Sequence, residues 1–132
     1  MKTVSLGLAV VVFLAGCGGF NPFAADQSVT LDVSKIDAPT TVATGTPITV
    51  VLTVTTGGCM SFDHIEVNRD VGSGHMTVWG RDAAKGRTGV MCPANLVLEP
   101  HSYQFDPPFA SSFTIQVDRG RMPPLQTTVQ VQ

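Results

Sequence analysis

Ile48-Thr49-Val50-Val51-Leu52-Thr53-Val54-Thr55, set between Pro47 and the pair Gly57-Gly58, is the stretch on which the fold turns. Ile48, Val50, Leu52 and Val54 fall on one side of an extended chain, and Thr49, Val51, Thr53 and Thr55 on the other. Side chains alternate between faces along a strand, so this spacing builds a strand with a continuous apolar face. Pro47 cannot donate into a ladder and marks the start, while Gly57-Gly58 marks a turn at the end.

Upstream, Val29, Leu31 and Val33 alternate with Thr30, Asp32 and Ser34 in the same way. Downstream, weaker strand candidates run over 62–69, 76–81, 96–98 with its flanks, 113–118 and 125–131. Turn or loop signals separate them at Gly72-Ser73-Gly74, 83–89, Asp106-Pro107-Pro108 and 120–124, and Asp118-Arg119-Gly120-Arg121 reads as a hairpin turn. No window of ten or more residues shows a 3.6 period. Thr and Val make up 28 of the 116 residues from 17 onward, a β-branched load that favours sheet over helix. These features predict an all-β domain over 28–132, an antiparallel two-sheet sandwich of about 7 strands, with a small β-barrel as the alternative.

The 132 residues, 43% of them hydrophobic, suit one domain with a packed core. Eight Lys and Arg against ten Asp and Glu give a net charge of −2, which excludes a broad basic face for nucleic acid. No apolar run reaches the roughly 18 residues of a helical membrane span.

The N-terminus is different in kind. Met1-Lys2-Thr3 is short and positive, and Val4 to Leu14 is apolar apart from Ser5. Such a length is that of a signal-peptide apolar region, and its glycines and lack of period argue against a buried helix or strand of the domain. The run ends in Leu14-Ala15-Gly16-Cys17, which resembles the lipobox of bacterial lipoproteins. An ordinary secretory signal with an incidental cysteine is the competing reading.

The resemblance implies recognition of Leu14, Ala15 and Gly16 by a signal peptidase, cleavage before Cys17, and a diacylglycerol on its thiol. Residues 1–16 would be the signal, 17–27 a lipidated tether, and 28–132 the domain. Two or three acyl chains such as palmitate hold a protein to a bilayer stably where one does not. The implied location is the cell envelope, on the membrane through the N-terminal acyl chains. Gly18 in place of Asp favours the outer membrane where the host has one.

With Cys17 assigned to lipid by that resemblance, Cys59 and Cys92 are left in the exported part, where disulfides persist. A disulfide between them is the expectation, against two unrelated buried thiols. A metal site is disfavoured because neither has a second cysteine two to four residues away.

The layout of the domain is similar to immunoglobulin-like domains of bacterial envelope proteins, most of all over 38–54, where a proline-containing edge leads through a glycine turn into a central strand. It departs from true immunoglobulin domains in two respects. Trp79 lies 20 residues after Cys59, and Cys59 follows a Gly-Gly turn, so the disulfide is expected to tie a strand end or loop to a neighbouring segment.

His64, His75 and His101 are the only histidines, and they lack the close spacing that pre-positions metal ligands. No Gly-x-Ser-x-Gly occurs, and Ser61, Ser73, Ser102, Ser111 and Ser112 read as turn or surface residues. Arg81, Lys85 and Arg87 against Asp82 give one loop a local charge of +2, suited to an anionic polymer, a lipid head group, or plain solvation. Trp79 and Tyr103 read as core and corner residues rather than a carbohydrate platform.

The function these features predict is a non-enzymatic, lipid-anchored binding or structural module, needing no cofactor or metal, with an unidentified protein or envelope-polymer partner. Two alternatives stand beside it. One is a small metal-handling protein or enzyme using His64, His75 and His101, and the other a proteinase-inhibitor-like sandwich presenting the loop 106–110.

Overall fold

The structure, a computed structural model, describes residues 27–132. The expected signal, Cys17 and the tether up to residue 26 lie outside the described residues, while Gln27, expected to end the tether, opens the first strand. Nine strands follow in order: β1 (Gln27–Thr30), β2 (Val33–Asp37), β3 (Thr41–Val42), β4 (Ile48–Thr56), β5 (Met60–Arg69), β6 (Ser73–Asp82), β7 (Val97–Phe105), β8 (Ser112–Arg119) and β9 (Met122–Val131). They form two sheets and no helix among the described residues. The all-β sandwich read from the sequence is the fold, built from nine strands rather than about seven.

The smaller sheet is β2-β4-β7, with β4 at its centre. Ile48, Val50, Leu52, Val54 and Thr56 are all buried, so the alternation of the deciding stretch is the inward face of a central strand. The larger sheet runs β1-β6-β8-β9-β3, with β5 along the remaining edge of β6. β1 and β8 share one edge of β6: β1 pairs with Trp79–Asp82, and β8 with Ser73–Met76. Two of the pairings, β6 with β8 and β3 with β9, are parallel rather than antiparallel.

The stretch 28–34 is not one strand. The chain leaves the larger sheet after Thr30 and joins the smaller one at Val33. The backbone groups at the crossing stay paired, with Leu31 N–H donating to Val78 O and Asp32 O accepting from Thr55 N–H. Leu31 and Val33 remain buried through the switch, which is why the alternation survives it.

Thirteen buried apolar residues fill the space between the sheets. At one end the aromatic rings meet edge to face: Phe113 lies 5.1 Å from Phe105 and 4.9 Å from Phe109 between centroids. Gly74 admits this packing, because a Cβ there would fall 2.6 Å from the Phe105 ring. Sequence reading placed Ser73-Gly74 in a turn, but both belong to β6, and the glycine is required by its neighbours rather than by a bend.

The sandwich has two distinct ends. Gln27 enters beside the β4–β5 turn at Gly58-Cys59 and the long 83–96 loop. The opposite end carries the β5–β6 turn at 70–72 and the 106–111 segment, joined by the Ala110 N–H donating to Val71 O.

Candidate functional site

The outward face of β5 and β6 carries a connected set of polar side chains. Their antiparallel register puts His64 opposite Trp79, Glu66 opposite Thr77 and Asn68 opposite His75, all on the side away from the core. A register shift between Phe62 and His64 adds Asp63 to this face. Asp63 accepts from Arg81 Nε at 3.0 Å, and its other oxygen lies 2.8 Å from His64 Nδ1. The hydrogen bonds from His64 and then Arg81 hold the Asp63 carboxyl below its ordinary value.

Trp79 lies half-buried on this face, its Nε1–H donating to Glu66 Oε2 at 2.7 Å. It is therefore not the core residue the sequence suggested. Because β8 runs parallel beside β6, Asp118 comes alongside it and binds both Thr77 Oγ1 and His75 Nε2 at 3.0 Å. Below this belt, Asn68, Arg69, Asp70, Ser73 and His75 line an open groove of about 260 Å³. Asp70 accepts from the backbone N–H groups of Gly72 and Ser73, which lowers its pKa and fixes the turn.

A second polar cluster sits between the sheets at the β5–β7 edge, and sequence reading missed it. Thr56 Oγ1 donates to Glu99 Oε1 at 2.6 Å, and Glu99 Oε2 lies 3.2 Å from His101 Nε2. The His101 ring stacks on Phe62 at 3.7 Å. Glu99, His101, Tyr103 and Phe105 are alternate residues of β7, a period-two signal obscured by Pro100 and by charge. A histidine, a carboxylate and a hydroxyl do meet here. The threonine hydroxyl points at the carboxylate, however, so the histidine is not placed to accept its proton as a nucleophile–base pair requires.

The Thr56 and then the His101 hydrogen bond hold the Glu99 carboxyl below its ordinary value of 4.5. A depressed folded-state pKa adds stability that is fully present above pH 4.5 and is lost as pH falls through the folded value. Glu99→Gln removes that titration. The acid limb of its stability curve is expected to be flatter than the parent's below pH 4.5, as read by denaturant midpoints between neutral and acid pH. Superimposable acid limbs would contradict the assignment.

The three histidines are not brought together: each faces a different carboxylate. Among the described residues no group of three His, Cys, Asp or Glu is placed to hold a metal ion. Cys59 and Cys92 are bonded to each other, with Cα atoms 5.1 Å apart, tying the β4–β5 turn to the 83–96 loop. The 106–110 segment is strapped down: Arg69 donates to the carbonyls of Asp106 and Pro108, and Phe109 packs on Phe113. Of the basic loop, Arg81 belongs to β6 and Lys85 Nζ reaches Ser28 O at 3.3 Å.

Comparison with protein-family models, with curated proteins and with solved structures finds no match in any of the three.

Proposed function

We propose that the chain is a lipid-anchored protein of the cell envelope whose sandwich binds a partner and carries out no reaction on it. The anchoring half rests on Leu14-Ala15-Gly16-Cys17 after an apolar run. The observation that carries the binding half is the outward β5–β6 face. Trp79 stands there among Asp63, His64, Glu66, His75 and Arg81, each held in orientation by a neighbour. An indole flanked by fixed donors and acceptors offers contact area and direction together, the combination interfaces favour. Its partner is an envelope protein or polymer.

In a bacterial host the chain is expected to label with a fatty acid and partition into detergent, and Cys17→Ser to lose both. Equal labelling of the variant would sink the anchor. A photo-crosslinking residue at position 77 is expected to give a discrete adduct in the intact envelope, weakened by Trp79→Ala. An adduct unchanged by that substitution would remove the face from the reading.

A further inference from the structure

The end of the sandwich at which Gln27 enters is chemically unlike the other. Gln27 and Met60 both stand opposite Asp82, so the chain runs back toward residue 17 from the end that carries the Gly58-Cys59 turn and the 83–96 loop. Six of the eight exposed large apolar side chains among the described residues gather here: Met60, Val90, Met91, Leu96, Val97 and Leu98. Met91 is 94% exposed and Leu96 70%. They are held rather than loose. Met91 precedes Cys92 and Met60 follows Cys59 across the disulfide, and Gly58 N–H donates to Asn95 Oδ1 at 2.9 Å. Apolar surface fixed in water is unfavourable unless something covers it.

Charge points to the same cover. Lys85 and Arg87 stand in the 83–96 loop against the single Asp82 at its base, whose carboxylate is taken up by the Ala84 and Lys85 N–H groups, in a chain whose net charge is −2. Apolar side chains beside a local excess of positive charge suit the boundary of an anionic bilayer. From Cys17 the ten residues to Gln27 span at most about 33–36 Å, comparable to the length of the domain's longest strands. A tether that short keeps this end at high effective concentration beside its own membrane, so even a weak patch stays engaged.

We infer that this end of the domain seats on the lipid surface that holds the anchor, with Met91 and Leu96 in the interfacial layer and Lys85 and Arg87 at anionic head groups. The inference rests on the proposed anchor at Cys17. It orients the domain with the 83–96 loop in the membrane and the 70–72 turn farthest from it.

The test uses the full, lipidated chain reconstituted in vesicles of phosphatidylethanolamine and phosphatidylglycerol with brominated acyl chains. Two single-tryptophan forms in a Trp79→Phe background are compared, Met91→Trp and Val71→Trp. Val71, 57% exposed in the β5–β6 turn, marks the opposite end. Both positions are open enough for the indole to be accepted without disturbing the core. The tryptophan at 91 is expected to lie about 5–10 Å into the interface and lose most of its emission, while that at 71 keeps its own. Lys85→Gln with Arg87→Gln is expected to weaken the quenching at 91.

Co-flotation with vesicles but no quenching at 91 would overturn the seating and leave the anchor standing. Shielding of 91 from aqueous quenchers without bromine quenching would also overturn it, by showing that residues 18–26 or a second copy cover the patch. Failure to co-float would overturn anchor and seating together.

Discussion

Phe113→Ala is expected to destabilise the domain by about 3–5 kcal/mol, the range for emptying a buried aromatic site. Phe113 is 0% exposed and joins two other rings, Phe105 at 5.1 Å and Phe109 at 4.9 Å, both edge to face. The Arg69 guanidinium lies over the same ring, 5.7 Å from its centroid. Alanine would open a void that β4 and β8 cannot close, because their neighbours are held in register by ladders on both sheets. Small domains are stable by only about 5–15 kcal/mol in all, so the loss is a large share. Chemical denaturation should show a lower midpoint at unchanged slope, and heating a melting point lower by about 4–8 °C for each kcal/mol. A shift of only one or two degrees would mean that Phe109 and Phe105 collapse into the space.

What was legible in the sequence follows from how local each signal is. The alternation from Ile48 to Val54 needs no knowledge of the rest of the chain, and all four residues are buried. The turn at Gly57-Gly58 and the hairpin at Gly120-Arg121, where Gly120 has φ +60°, are equally local. Failures came where a residue's setting is decided elsewhere. Pro123-Pro124 read as loop but lies in β9, at a register shift between Val117 and Arg119 where ladder bonds are interrupted. Pro100 sits in β7, an edge strand that tolerates the missing donor.

The candidate site was the least legible part. Asp63 meets Arg81 through a bulge, and Asp118 meets Thr77 and His75 because β6 and β8 are parallel neighbours. Neither fact leaves a trace in residue order. Trp79 shows the cost: a lone tryptophan in a small domain suggests a core anchor, and only the strand's register puts it outside.

Replacing Cys59 and Cys92 together by serine is expected to cost about 2–5 kcal/mol. The bond closes a loop with a sequence separation of 33, for which the loss of chain entropy in the unfolded state corresponds to about 3–4 kcal/mol. The folded side of the balance points the same way. The 83–96 loop contributes no strand to either sheet. The bonds that hold it besides the disulfide include the Ala83 N–H bond to Cys59 O, the Ala84 and Lys85 N–H bonds to the Asp82 carboxylate, the Asn95 bond to Gly58 and the reach of Lys85 to Ser28 O. Most of these are exposed or near exposure, where a single hydrogen bond contributes about 0.5–1.5 kcal/mol. Reductant should therefore lower the parent's denaturation midpoint to that of the double variant and leave the variant unmoved. Amides of 83–96 should also exchange faster in the variant while those of β4 do not, because a loop freed of its staple opens without the sheets. Met91 stands next to Cys92, so the same variant should lose the fixed presentation of the apolar end, and with it most of the bromine quenching at position 91. A double variant that kept both its midpoint and that quenching would show that the loop is held by its hydrogen bonds alone, and that the staple serves neither the fold nor the membrane-facing end.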